Sequence, residues 1–355
     1  MVISLVLVFL LCATSSFFEE RISDRYKIIL YIIIGISLIL IAGLRGVGVT
    51  PDTNEYEEMY YGGSTFMEET TEPTFLFISS FLRGFSFDVT ALFLTFSFIS
   101  IAIHLPALWR LSRLPLVTLT IYISYYFMMQ EMVQMRAGVA AGFFLWAIYN
   151  YVEKKKLIAL GCILLAICFH YSAIAALLLF FLTDKLPRWQ KIVLYLIIPI
   201  GFIAYFTDLD FSYIIPESMG GDKVAVYRQL KEIGTEDDFA GWPLRNNILI
   251  WMNIILYLAC IYYSELLTQH CKFVPIAIKI QAIGFCFLFF VHGISAIIGN
   301  RMNDFFSIAS IILWTASIYA FQPRIYGIAL SNIISTFRFV SSIIAYALAL
   351  LFFDP

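Results

Sequence analysis

Three arginines, one histidine and one aspartate stand out in a chain that otherwise carries little charge. Only 14% of the 355 residues are charged, whereas 61% are hydrophobic. Arg45, Arg136, Arg301, His170 and Asp52 all lie beside or within long apolar runs. A guanidinium can bind phosphate or carboxylate through two parallel hydrogen bonds. An imidazole or a carboxylate can take a proton from a hydroxyl group. Together these residue types would suit group transfer on an anionic substrate.

The first of these candidates lie in the segment "GLRGVGVTPDTNEYEEMYYGG", which runs from Gly43 to Gly63 directly after an apolar run. It places Arg45, Asp52 and Tyr56 in a stretch rich in turn residues. Each has a simpler explanation. Arg45 could anchor a helix end at the membrane surface, and Asp52 after a proline could form a turn.

The remaining candidates are spread over the rest of the chain. Arg136, in "EMVQMRAGVAAG", lies between two apolar helices, where an ionisable residue is costly and usually functional. His170, in "CFHYS", could instead be a satisfied interior histidine. Arg301, in "GNRMNDFF", could form a local ion pair with Asp304.

Composition predicts the framework that must position these residues. Soluble domains carry roughly a quarter charged residues, so a mean hydropathy of +0.85 indicates an all-α polytopic membrane protein. We expect one transmembrane domain over residues 1–355 with about 12 transmembrane helices. Their predicted spans are 2–18, 28–43, 88–109, 115–130, 136–152, 157–170, 171–183, 191–207, 245–264, 274–298, 303–321 and 328–353. The apolar run 157–182 is too long for one upright helix, so we break it at His170.

Basic residues predict the orientation, because cytoplasmic loops are enriched in lysine and arginine. With the N-terminus outside, the cytoplasmic side receives fifteen of the 23 lysines and arginines. The outer side holds two long loops, 44–73 and 208–243. A single span at 157–182 would invert everything that follows and weaken this bias. All the candidate residues fall on the outer side.

Other classes of site are not indicated. The six cysteines contain no C-x-x-C pair, so neither a disulfide framework nor a zinc site is predicted. We expect no metal and no cofactor. A net charge of −2 gives no indication of nucleic-acid binding.

Arginines at the outer rim of a membrane bundle would suit a lipid-linked diphosphate. Its head group is anionic, and its polyprenyl tail would remain between helices. Guanidinium groups would neutralise the charge that develops on such a leaving group. A nearby carboxylate or imidazole could accept the proton of an attacking sugar hydroxyl.

Three short blocks resemble the EpsG-type polysaccharide polymerases, which belong with the Wzy-like O-antigen polymerases. "LRGVGVTPDTNEYEEMY" is similar to the family's first signature, although Thr50 and Pro51 depart from it just before the aspartate. The arginine block that begins "QMRAGVAAG" and the motif "FHYS" resemble the second, and "GNRMNDFFSIASIIL" resembles the third. By position, Arg45, Asp52 and Tyr56 match the first block, Arg136 and His170 the second, and Arg301 the third.

The resemblance implies a glycosyltransferase with a GT-C-like multi-helix bundle, periplasmic loops and an active site on the periplasmic side. We expect the bacterial inner membrane as its location. Donor and acceptor would both be oligosaccharides linked to undecaprenyl diphosphate, and no metal would be used. Arg45, Tyr56, Arg136 and Arg301 would bind substrate, and His170 or Asp52 would be the base. His170 is favoured, because histidine titrates near neutral pH. A chain-length regulator of the Wzz type would be a further partner.

Three other functions stay open at this point. An O-antigen ligase would use the same donor but a lipid A core as acceptor. A lipid-linked oligosaccharide flippase would carry charges deep in its helices and show pseudo-symmetric halves, whereas this chain gathers charge at one rim. A membrane acyltransferase would usually pair a histidine with a nearby acid, and "FHYS" offers none locally.

Cysteine labelling tests the predicted orientation. In a cysteine-free background, Asp52→Cys should react with a membrane-impermeant maleimide in intact cells. Pro187→Cys should react only after the membrane is opened. The same side for both positions would contradict the orientation derived from the basic residues.

Overall fold

The computed structural model describes residues 1–62, 71–207, 244, 247–292 and 295–353, and the regular elements among them are helices. This confirms the predicted all-α polytopic membrane protein. The first half contains α1 (Val2–Phe17), α2 (Asp24–Gly43), α3 (Pro51–Tyr61), α4 (Pro73–Gly84), α5 (Val89–Leu111), α6 (Pro115–Ile121), a π-helix (Tyr122–Val133), α7 (Met135–Val152), α8 (Lys156–Phe169) and a 3₁₀-helix (Tyr171–Phe181). The second half contains α9 (Arg188–Phe206), α10 (Ile248–Tyr262), α11 (Ser264–His270), α12 (Val274–Phe290), α13 (Ala296–Ser307), α14 (Ser310–Ser317), a short 3₁₀-helix (Ile318–Ala320) and α15 (Arg324–Phe353).

Fewer helices than predicted have the length and hydropathy of a single membrane span. Four qualify among the described residues: α2, α5, α9 and the Arg324–Ala345 part of α15. A fifth is obtained if α10 and α11, which meet at an angle of 86°, form one bent span. Several other apolar helices have only 10–17 residues. The count of 12 spans is therefore not confirmed.

The contacts divide the chain into two compact units. The first comprises Met1–Phe180 with Trp314–Pro355, and the second comprises Phe181–Leu313. Arg45, Asp52, Tyr56, Arg136 and His170 belong to the first unit, and Arg301 belongs to the second. The expected single transmembrane domain stays a prediction.

Close backbone contact fixes the start of α7 in the first unit. A Cβ atom on Gly138 would lie 2.8 Å from the carbonyl oxygen of Gln130, which belongs to the preceding π-helix. A main-chain atom cannot move aside as a flexible side chain can, so only glycine fits here. The small residues that follow Arg136 thus allow α7 to fold back tightly against the π-helix.

The predicted outer loop 44–73 is more ordered than its turn-rich sequence suggests, because Pro51–Tyr61 forms α3. Proline suits the first helical position. The hydroxyl of Thr53 accepts a hydrogen bond from the backbone N–H of Thr50 at 3.2 Å, and Gly62 ends the helix with a φ of +79°. Residues 63–70 of this loop, and all of loop 208–243, lie outside the described residues.

Two other local predictions have different outcomes. The break at His170 is confirmed, because α8 ends at Phe169 and the 3₁₀-helix begins at Tyr171. The predicted spans 274–298 and 303–321 leave Arg301 between two helices, and this placement is wrong. Arg301 lies inside α13, and the residues of the span predicted at 303–321 are divided among α13, α14 and a 3₁₀ turn.

Two glycine-to-alanine substitutions test the packing at the start of α7. Gly138→Ala should destabilise the protein by about 1–3 kcal/mol, because the added methyl group overlaps a main-chain carbonyl. Gly161→Ala is the matched control in α8, where a Cβ atom meets nothing within 4 Å. It should be neutral or stabilise by up to about 1 kcal/mol. Thermal unfolding in detergent measures both, and equal effects would contradict the packing.

Candidate active site

A single carboxylate joins two of the predicted site residues. The Oε2 atom of Glu72 accepts a hydrogen bond from Nη1 of Arg136 at 2.6 Å, and its Oε1 atom lies 3.1 Å from Nδ1 of His170. The backbone N–H of Tyr171 also donates to Oε1, at 3.3 Å. Arg136 and His170, which lie 64 and 98 positions after Glu72 in the chain, thus contact the same carboxylate.

The start of α4 places Glu72 at this position. Glu72 immediately precedes Pro73, the first residue of α4, and the backbone N–H of Phe75 donates to the Glu72 carbonyl at 3.0 Å. An acidic residue at a helix N-terminus is stabilised by the helix dipole. The hydroxyl of Thr74 donates to the carbonyl of Cys168 at 2.5 Å, which ties α4 to the end of α8. This contact brings Glu72 to His170.

Arg136 lies in the first turn of α7 and is held by aromatic neighbours as well as by Glu72. Its guanidinium carbon lies 5.3 Å from the ring centre of Tyr56 and 5.5 Å from that of Phe75. Cation–π contacts of this kind stabilise a partly desolvated cation. Tyr56 and Arg136, which were each predicted to bind substrate, are therefore in direct contact.

His170 occupies the break between α8 and the 3₁₀-helix. Its backbone is extended, and its N–H donates to the carbonyl of Ala166 at 2.9 Å. Because Nδ1 faces the Glu72 carboxylate, the proton of a neutral imidazole is best placed on Nδ1. Nε2 is then the nitrogen whose lone pair can accept a proton.

The environment of Glu72 keeps it ionised. Burial raises the pKa of this carboxyl, but the hydrogen bond to His170 and the positive charge of Arg136 outweigh burial and lower the pKa to about 2. At neutral pH Glu72 is a carboxylate that accepts hydrogen bonds from both partners.

The three residues differ in how far solvent reaches them. The side chain of Glu72 is only 2% exposed, whereas those of Arg136 and His170 are 15% and 28% exposed. Part of the Arg136 and His170 side chains is therefore open to solvent, whereas the carboxylate is enclosed.

Arg45 is close to this group but faces the interior, with 3% exposure. Its Nη1 donates to the carbonyl of Ala42 at 2.5 Å, and its guanidinium lies over the ring of Phe93 at 4.4 Å. Its Nη2 lies 3.6 Å from the sulfur of Met135, the residue before Arg136. Arg45 thus supports the start of α7 from inside.

The other two predicted residues are placed differently. Asp52 lies in the first turn of α3, one helical turn before Tyr56, where an acid favours the helix dipole. Arg301 lies in α13 of the second unit with an exposed side chain. The structure therefore brings Tyr56, Arg136 and His170 together, and the assignment of a substrate role to each predicted residue stays a prediction.

The sequence reasoning missed two acids of the first unit. Glu72 lies in "EETTEP", which looks like an ordinary solvated stretch. Glu131, near the end of the π-helix, accepts hydrogen bonds at 2.8 Å from the hydroxyls of both Ser100 and Tyr122. Its signal was available, because an acid inside an apolar run is costly unless it is paired. Among the described residues no three His, Cys, Asp or Glu side chains form a metal-site group.

Comparison with models of protein families identifies the family of the chain. The model of the EpsG family matches residues 28–354, which is most of the chain. No curated protein and no solved structure matches the sequence. The matched range includes every residue of the group around Glu72.

The pKa of Glu72 predicts a pH-dependent contribution to stability. Because folding lowers this pKa from its usual 4.5 to about 2, the contribution is complete above pH 4.5 and is lost as the pH falls through 2. At pH 7 it should amount to roughly 3 kcal/mol, of which more than half is gone at about pH 3.

Thermal unfolding of the wild type and Glu72→Gln in detergent, between pH 7 and pH 3, measures this contribution. The gap between the two proteins should narrow as the pH falls. A gap that does not change over this range would contradict the ion pair. Glu265→Gln is the control, because the Glu265 side chain is 83% exposed where it contacts Lys191.

Proposed function

The chain belongs to the EpsG family, and on that premise we propose that it is a polysaccharide polymerase that joins lipid-linked glycans. The observation that carries this proposal is the pair of reachable side chains, Arg136 and His170, on the shared carboxylate of Glu72. A cation for a leaving group and a base for an attacking hydroxyl are what glycosyl transfer from a diphosphate requires.

The substrates follow from this chemistry. The donor would be a growing glycan on undecaprenyl diphosphate, and the acceptor would be one lipid-linked repeat unit. Both would approach from the membrane, with their sugars on the periplasmic side of the bacterial inner membrane. The product would be O-antigen or a related polysaccharide, and a Wzz-type chain-length regulator would be a partner.

The proposed step balances without a cofactor. The acceptor hydroxyl oxygen forms a bond with the anomeric carbon of the donor glycan. The bond from that carbon to the diphosphate oxygen breaks, and its electron pair leaves with undecaprenyl diphosphate. The hydroxyl proton moves to Nε2 of His170. This would make the enzyme a metal-independent glycosyltransferase of the GT-C-like kind.

The arginines would have different tasks. Arg136 would oppose the charge of the diphosphate directly, with Tyr56 holding its guanidinium in place. Arg301, by its match to the third family block, would bind substrate through its guanidinium. Arg45, which is buried against Met135, would act through the position of α7. Asp52 would serve the acceptor side or the helix dipole, and His170 is preferred as the base because its ring is paired with an acid.

Substitution of the proposed residues tests this function. Arg136→Ala, Arg301→Ala and His170→Asn should each reduce chain extension by about 100-fold or more, as loss of a charge-stabilising donor or a general base does. Each variant should remain in the membrane. Arg324→Ala is the control, because Arg324 forms a half-exposed ion pair with Glu20. Long glycan chains of normal length in all three variants would refute the proposal.

The glycan pattern of a deletion strain separates this function from the alternatives. Loss of a polymerase leaves one repeat unit on the lipopolysaccharide core. Loss of a ligase leaves a core without O-antigen, and loss of a flippase prevents lipid-linked units from reaching the periplasmic side.

A further inference from the structure

Glu72 has an unusual position for a residue that contacts both members of a proposed catalytic pair. It is nearly inaccessible, yet one of its oxygens binds the more reachable Arg136 and the other faces the more reachable His170. A substrate that touches Arg136 and His170 would not touch Glu72. Glu72 would therefore affect the reaction through its two partners and through its own negative charge.

Glu72 and a bound diphosphate would compete for Arg136. The guanidinium carries one positive charge and already forms an ion pair with the Glu72 carboxylate at 2.6 Å. A diphosphate bound to Arg136, as the proposed function requires, would bring further negative charge close to the carboxylate. Like charges at such a distance repel strongly when water is largely excluded. Binding of the diphosphate must weaken the contact between Glu72 and Arg136.

His170 offers the displaced carboxylate another partner. The Oε1 atom of Glu72 already lies 3.1 Å from Nδ1 of His170. If the Glu72 carboxylate loses its ion pair with Arg136, the imidazole of His170 becomes its one side-chain partner in this group. Such a carboxylate orients the ring and stabilises the imidazolium that forms when Nε2 takes a proton, as in hydrolases that pair histidine with an acid.

We propose that Glu72 is a positioning residue. When the donor diphosphate binds, the Glu72 carboxylate would release Arg136 and keep His170 as its side-chain partner. Donor binding thereby prepares the base for the acceptor hydroxyl. This inference rests on the proposed function, since it requires that Arg136 binds the diphosphate. It assigns to Glu72 a coupling between donor binding and proton transfer.

A purely structural role for the ion pair and the proposed role of Glu72 predict opposite effects on diphosphate affinity. If Glu72 only holds Arg136 in place, its removal should leave diphosphate binding unchanged or weaker. If Glu72 competes with the diphosphate, its removal should make binding tighter. The sign of the change in affinity therefore decides between the two roles.

The test uses the full-length protein in nanodiscs, with undecaprenyl diphosphate as the probe. Glu72→Gln should bind it about fivefold to 100-fold more tightly than the wild type, the range expected for coupling between sites. Chain extension in cells should nevertheless fall by about 100-fold. Glu20→Gln is the matched control, because it removes the carboxylate of another arginine pair, at 2.7 Å. It should change neither quantity.

A double-mutant cycle tests the transfer itself and does not depend on Glu72→Gln alone. His170→Ala should weaken diphosphate binding, because the displaced carboxylate loses the Nδ1–H donor with which it would pair. In the Glu72→Gln background the same substitution should have no effect on binding. Additive changes in the two backgrounds would overturn the proposal, since independent sites give additive free energies.

Arg136→Gln separates a failure of this inference from a failure of the proposed function. If Arg136→Gln binds undecaprenyl diphosphate as the wild type does, the assignment of Arg136 to the diphosphate is wrong. If Arg136→Gln loses binding but Glu72→Gln binds no more tightly than the wild type, only the role of Glu72 is refuted. A monodisperse elution profile is required for each variant.

Discussion

The buried carboxylate of Glu72 is the interaction on which the rest of the candidate site depends. A charge taken out of water is costly unless it is paired and hydrogen-bonded, and Glu72 meets this requirement with Arg136, His170 and the backbone N–H of Tyr171. The start of α4, the start of α7 and the break after α8 must therefore converge. Once they do, the guanidinium of Arg136 and the imidazole of His170 contact the same carboxylate, and both side chains are partly exposed.

The interior of the first unit follows the same rule. Glu131 is 1% exposed and receives hydrogen bonds from Ser100 on α5 and Tyr122 on the π-helix. Arg45 contacts the sulfur of Met135 at the beginning of α7. Polar contacts between helices thus fix the path of the chain just before Arg136. π-helical turns are uncommon and frequently occur at functional sites, and this one ends three residues before the proposed diphosphate ligand.

The helical membrane class and the break at His170 could be predicted from the sequence. So could the importance of Arg136 and His170, but not the acid that joins them. Glu72 could have been noticed, since an acid directly before the proline that begins an amphipathic helix is a helix-start signal. The partners of Glu72 could not be predicted, because Arg136 and His170 lie 64 and 98 residues away and no helical or strand periodicity connects them to it. Helix α3 was not predicted, because the glycines, the proline and the acidic residues of this segment are typical of a turn-rich loop. The count of 12 spans is not confirmed, because several of the apolar helices are shorter than a full span.

The pairing of His170 with Glu72 changes how the alternatives are weighed. The absence of an acid near "FHYS" in the sequence argued against an acyltransferase, but the structure supplies that acid from a distant segment, so this argument no longer holds. What distinguishes the site is the second partner of the acid. In an acyltransferase the carboxylate needs only to orient the histidine base. Here the same carboxylate also binds Arg136, whose side chain is 15% exposed. A shared acid of this kind suits a reaction in which an anionic leaving group and a proton must be handled together. Together with membership of the EpsG family, this favours glycosyl transfer from a lipid diphosphate.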